Sequence, residues 1–351
     1  MKKTQGAFEN NILSHLANDL GGCENKGART LRCAPVLLIG FNRPDFMAAQ
    51  IAAIRPARPA RLYIAVDGPR ADRPSEAEQC RQVRDCAKLV DWPCEVKTLF
   101  RETNFGCKYG VSGAITWFFE NEQEGIVLED DCRPALDFFR FATEMLDRYR
   151  DDVRIGAVCG FNFFNLQSDK SALYHFSRHM DVWGWASWRR VWKDYDVDVT
   201  RNSGNLLAMI DDMNATPYYK DFYKGLVRGV ENGLSTWDVQ FTMLFLKKRY
   251  LSVVPKVRLV ANAGLADNRA THTGGYVYWA REWERTGILD PDAPHPDVVC
   301  DEEADRLRER MEGAILPRGL TWLGAKCPQL CGLLSAIGKV LEKIAPFLFR
   351  W

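Results

Sequence analysis

The sequence predicts an α/β fold on a mostly parallel central sheet, followed by a helical C-terminal extension. Three observations point there. Short unbroken apolar runs recur between residues 34 and 161, helical stretches alternate with them, and the spacing suits one crossover helix between successive strands. A parallel strand covered on both faces shows as such a run, not as an alternation of apolar and polar residues.

In chain order, "PVLLIGF" (35–41) is the first strand, and Pro44 opens the helix "PDFMAAQIAAI", since proline suits a first helical turn. "RLYIAVDG" (61–68) is the second strand and residues 75–90 a polar helix. "EVKTLF" (95–100) is the third strand, and "KYGVSGAITWFFEN" (108–121) a helix with Val111, Ile115 and Phe118 or Phe119 on one face. "GIVLEDD" (125–131) is the fourth strand. "LDFFRFATEMLDRY" (136–149) is an amphipathic helix with Leu136, Phe139, Met145, Leu146 and Tyr149 inward, and "IGAVCGF" (155–161) the fifth strand. Beyond it tryptophans cluster at 183, 185, 188 and 192 and helices dominate, so a boundary is expected near residue 165. The expected parts are an N-terminal extension (1–33), a donor-binding α/β part (34–165), an acceptor and catalytic part (166–285) and a helical extension (286–351).

At 351 residues and 46% hydrophobic content the chain can bury a large core, and a net charge of +1 gives no global field for nucleic acid. Eleven cysteines without a CxxC pair suit reduced thiols in a cytoplasmic protein better than a disulfide framework. The spacing of Cys80, Cys86 and Cys94 is wrong for zinc. The start "MKKTQGAFENNILSHLANDL" does not have the form of a signal peptide, and no apolar run is long enough to span a bilayer. In the tail (329–351), Leu333, Leu334, Ile337, Val340, Leu341 and Ile344 recur at helical spacing with Lys339, Lys343 and Arg350 beside them. That pattern suits either peripheral contact with a membrane surface or packing on the protein's own core.

The polar residues fall at the strand ends. Asn42 and Arg43 follow the first strand, Asp67 the second, Asn104 the third, and Glu129, Asp130 and Asp131 the fourth. In an open parallel sheet, ligands bind beyond the carboxyl ends of the strands. Three adjacent carboxylates are costly without a positive partner. Mn²⁺ or Mg²⁺ is the economical one, because it takes carboxylate oxygens and keeps positions for phosphate. With Arg43 nearby, the expected ligand is a nucleoside diphosphate, and Asp67 would accept hydrogen bonds from base or ribose. The first turn, "GFNRPD", does not have the close-packed glycines of a dinucleotide-binding dehydrogenase.

"IVLEDDCRPALDFFRFATEML" resembles the metal-binding strand and following helix of the GT-A, Rossmann-like nucleotide-diphospho-sugar transferases, nearest to the inverting N-acetylglucosaminyltransferase I type. Together with "NFGCKYGVSGAITWFFEN", "VWGWASWRRVWKDYD" and "VPKVRLVANAGLADNRATHT", it is also similar to a bacterial group of family 2-like glycosyltransferases of surface polysaccharide synthesis. The likeness covers roughly residues 34–275. It implies a metal-dependent inverting transferase with a UDP-sugar donor and a glycan or glycolipid acceptor, at the cytoplasmic face. Asp131 would be the direct metal ligand, Glu129 and Asp130 would face the donor's sugar and ribose, Asp67 the base and Arg43 the nucleotide. Lys108 would stand near the donor or be a surface lysine. Trp185, in "WGWASW", would line the sugar pocket, with two of the four clustered tryptophans serving as packing. Asp238, opening the helix in "GLSTWDVQFTMLF", would be the catalytic base, with Asp181 second. His272, in "ATHT", would touch phosphate or metal. The alternatives are a sugar-phosphate nucleotidyltransferase and a non-catalytic nucleotide-sugar-binding protein.

Overall fold

The structure is a computed structural model and describes residues 33–163, 165–199, 203–264, 286–290 and 292–315. All of them belong to one unit, Cys33–Trp351. The N-terminal extension to residue 32, the tail 329–351 and His272 lie outside the described residues.

The first half follows the predicted alternation. Strand β1 is Val36–Gly40, helix α1 Pro44–Ile54, β2 Arg61–Val66, α2 Ser75–Asp85 and β3 Glu95–Phe100. Helix α3 is Ser112–Asn121, β4 Glu124–Glu129, β5 Cys132–Pro134, α4 Leu136–Arg148 and β6 Ile155–Cys159. β1 pairs in parallel with β2 and β4, and β2 with β3. Burial explains the unbroken apolar runs: every residue of β1 and β6 is buried, as are five of the six in β2. In α4, Phe139, Met145 and Leu146 are buried as their spacing predicts, but Leu136 stands at the first turn, 37% exposed.

The second half adds β7 (Tyr174–Ser177), β8 (Trp185–Trp188), the short helix α5 (Arg189–Trp192), α6 (Ser203–Asp211), α7 (Pro217–Glu231), α8 (Asp238–Lys248), β9 (Leu251–Pro255), β10 (Val260–Asn262) and α9 (Glu302–Ile315). The eight-stranded sheet has the order β3-β2-β1-β4-β8-β6-β9-β7. Strand β8 runs antiparallel between β4 and β6, so the change of pattern near residue 165 does not divide the sheet. The architecture is α/β, with a large, mostly parallel mixed sheet, compatible with a Rossmann-like fold. α6, α7 and α8 build a smaller second core around Ile210, Val227 and Met243.

Helix α9, part of the expected helical extension, is fastened by buried polar contacts. Arg308 makes a bidentate pair with Asp181 at 2.8 and 2.9 Å. Glu309 meets His179 at 3.1 Å, and Asp305 accepts from the Ser177 hydroxyl at 2.5 Å and from Arg178 Nε at 3.0 Å. No helix among the described residues is long and apolar enough to cross a membrane.

Candidate active site

Four parallel strands, β1 to β4, bring their carboxyl ends to one edge, and the residues there form two clusters. In the first, β1 and β4 stand side by side with Ile39 opposite Glu129. Gln50, buried on α1, donates to the Glu129 carbonyl at 2.7 Å and fixes the end of the strand. Arg43, just before α1, reaches the triplet 87 residues away: its Nε donates to Asp130 Oδ2 at 3.2 Å and its Nη2 to Asp130 Oδ1 and, at 3.0 Å, to Asp131 Oδ2. Arg133 donates to the Asp130 carbonyl at 2.7 Å, and both guanidiniums lie over the Phe46 ring. The positive partner that three carboxylates require is therefore, in the first place, Arg43.

Two arginines do not balance the corner, because a fourth acid joins it. Asp238 opens α8, and its carboxylate accepts from the Thr236 hydroxyl. Its charge is felt by Glu129. Burial first, then Asp131, Asp238 and Asp130, push the Glu129 carboxyl well above the ordinary carboxylate range, against the pull of Arg43. Glu129 is partly exposed, and its carboxylate has no hydrogen bond or ion pair among the described residues. Asp130 is buried, and burial drives its carboxyl up to about 6 although Arg43 opposes the change. Asp131 stays 22% exposed.

The second half closes over this corner. Strand β10 pairs antiparallel with β5, immediately after the triplet, and Ala263 N–H donates to the Asp131 carbonyl at 2.8 Å. Gly264 then passes so close that a Cβ there would meet Asp131 Oδ2 at 2.4 Å, so glycine is required for the approach. Cys107 is a neighbour that sequence reasoning missed: burial, then Glu129 and Asp238, push its thiol up to about 12. Its one sequence signal is the preceding Gly106, whose φ of +71° begins the wide π-turn Cys107–Val111 ahead of α3.

The second cluster centres on Asp67. Its carboxylate accepts the backbone N–H groups of Gly68, Phe105 and Gly106 at 3.0 to 3.1 Å and the Asn104 amide at 3.0 Å. A carboxylate has about four acceptor positions, and these donors occupy them. The structure thus gives Asp67 the task of tying the 104–106 loop to β2, instead of presenting a carboxylate to a base. Lys108 pairs with Asp198 at 3.1 Å.

Trp185 also differs from expectation. It is 1% exposed and packed against Trp192, Trp237 and Phe241, so its ring belongs to the core and offers no face to a sugar. Trp188 and Trp192 are buried as well, so three of the four clustered tryptophans are packing. Asp181, the second choice for a base, is held by Arg308 beneath the surface. Among the described residues, no three His, Cys, Asp or Glu side chains form a ready metal cage.

No family model matches the chain. No curated protein matches it. Among solved structures it is similar to the one titled "Crystal structure of HddC from Yersinia pseudotuberculosis", at 11% identity and a TM-score of 0.30, over 46% of this chain and 80% of that one. A likeness so slight carries no argument about fold or activity.

Proposed function

We propose that this chain is a metal-dependent inverting glycosyltransferase, moving a sugar from a nucleoside-diphosphate donor, a UDP-sugar by resemblance, to a hydroxyl of a glycan or glycolipid. The observation that carries the proposal is the run Glu129, Asp130 and Asp131 at the carboxyl end of β4, with the Asp238 charge bearing on Glu129.

The donor set fits Mn²⁺ or Mg²⁺. The Glu129 carboxylate has no partner among the described residues, Asp131 is accessible, and the arginines leave acids in surplus. Mg²⁺ is ordinarily held by one or two carboxylates together with substrate phosphates and water, so no all-protein cage is needed. Asp131 would hold the ion, with Glu129 beside it. A bound ion supplies Lewis-acid stabilisation of the departing diphosphate. Arg43, fixed by Asp130, sets the position of Asp131.

Asp238 takes the proton of the acceptor hydroxyl. As that oxygen forms its bond to the anomeric carbon, the bond from carbon to phosphate oxygen breaks, and the electron pair leaves with the nucleoside diphosphate. One displacement from the opposite face inverts the centre. Asp238 stands at the first turn of α8, and the Thr236 hydroxyl orients it.

The test is Asp238→Asn, assayed with Mn²⁺, a donor panel and nucleotide release. Transfer should fall roughly 10²- to 10⁴-fold, the range for losing a general base, while donor binding persists. Undiminished turnover would move the base elsewhere.

A further inference from the structure

We propose a second ligand-binding surface: a groove along the outer face of α3 that holds a neutral, extended saccharide and leads it to Asp238. In calling that saccharide the acceptor, this inference rests on the glycosyltransferase reading above. The groove is an open, shallow depression of about 380 Å³, within the range of small-molecule sites. One wall is a continuous helical stripe: Tyr109 in the π-turn, then Ser112, Gly113, Thr116, Trp117 and Glu120 along α3. These positions recur three and four apart, which places them on one side of the helix. The other wall is Tyr195 and Val197, and the Lys108–Asp198 pair ties the two together beside the groove.

The stripe is unlike a solvated helix face. The outer side of α2 carries Glu78, Arg81 and Asp85, joined by ion pairs at 2.6 Å. The groove instead has three aromatic rings, two hydroxyls, a flat glycine and a single charge, Glu120. Tyr109 is 51% exposed, matched among the described aromatic residues by Phe105 at 52%. Aromatic faces cover the apolar side of a sugar ring, while the Glu120 carboxylate accepts hydrogen bonds from sugar hydroxyls; the Ser112 and Thr116 hydroxyls already donate to the Lys108 and Ser112 carbonyls. The cations nearest the groove, Lys108 over the Tyr109 ring and Arg101 behind Gly113, are engaged by Asp198 and by the Gly110 carbonyl, which argues against phosphorylated or uronic acid ligands. Its mixed polar and apolar wall argues against an acyl chain.

Its direction links it to the chemistry. Tyr195 lines the groove together with Ser112. Its hydroxyl donates to the carbonyl of Trp237 at 3.1 Å, the residue before Asp238. Burial, and then the Asp238 charge, raise the Tyr195 phenol. One end of the groove therefore lies beside the residue assigned as base.

The full chain, without nucleotide or metal, is titrated with short neutral oligosaccharides of hexose and N-acetylhexosamine, followed by saturation-transfer NMR on the ligand protons. Saturable binding is expected, weakened roughly five- to tenfold by Tyr109→Ala, the scale of one lost ring contact, and also by Glu120→Lys. Both positions are exposed, so the variants should fold. Equal affinity in wild type and both variants, absence of saturation with every sugar, or a preference for acidic oligosaccharides would overturn the inference. Nucleotide release separates the two claims. If no donor is turned over yet binding behaves as expected, the transferase reading falls and the groove stands. If sugar is transferred and the acceptor KM is the same in both variants, the groove falls and the transferase stands.

Discussion

Asp130 should leave a signature in the dependence of stability on pH. Its carboxyl is raised by burial from 3.8 to about 6 in the folded protein. The folded state therefore holds a proton that the unfolded chain has released, throughout the window between those values. Stability contributed by this proton grows as pH falls through about 6 and is absent well above it. At about 1.4 kcal/mol for each tenfold in proton affinity, the whole effect is about 3 kcal/mol, of which about half is present at pH 5 relative to pH 7.5. His175 works in the opposite sense over the same window. Burial pushes its imidazole down to about 4, so the unfolded chain takes up that proton first. Wild type alone would mix the two. The informative quantity is the difference between wild type and Asp130→Asn, in which His175 is common to both proteins, while loss of the Asp130 charge also relieves Glu129. Urea unfolding in EDTA at pH 7.5 and at pH 5 should show wild type gaining about 1–1.5 kcal/mol on the variant as pH falls. Parallel pH profiles would mean that Asp130 titrates as an ordinary exposed carboxyl and is not buried against Arg43.

Asp131→Ala should abolish manganese-dependent binding of uridine diphosphate by calorimetry, and unaltered affinity in that variant would contradict the metal assignment. Arg308→Met leaves Asp181 buried without its partner and should cost about 3–5 kcal/mol in urea unfolding. Arg308→Met/Asp181→Leu should recover most of that loss, and equal instability of single and double variants would locate the defect elsewhere. Asp67→Asn removes one acceptor oxygen and adds two donors facing N–H groups, so amide exchange at Phe105 and Gly106 should quicken and stability should fall by about 1–3 kcal/mol. Unchanged exchange would show that the loop is held by other means.

The parallel half of the sheet was legible because burial on both faces is written directly into the residues, as in "PVLLIGF", and because Pro44 marks the start of α1 at the position where the helix begins. Strand β8 was not legible. "WASW" is four residues long, and tryptophans there could as well line a pocket as pack a core; only the neighbours Trp192, Trp237 and Phe241, gathered from other elements, decide it. The acids at the strand ends were visible, but the direction in which each one points was not. Asp67 turns to the 104–106 loop because three backbone N–H groups and an amide converge on it, and backbone placement has no residue code. The Arg43 fork on Asp130 depends on the parallel pairing of β1 with β4, a long-range fact. Asp238 was readable as an acid opening an apolar helix, whereas its electrostatic closeness to Glu129 comes from how α8 packs.

The placement of β8 between β4 and β6 has a consequence for biosynthesis. As the chain leaves the ribosome, β1 to β4 can pair in order, but β4 then waits with one open edge until residues 185–188 arrive, and β6 waits further for residues 251–255. Exposed apolar edges are templates for pairing with other chains. A fragment ending near residue 165 should therefore be insoluble or chaperone-bound, and the nascent protein should depend on holdases during that interval.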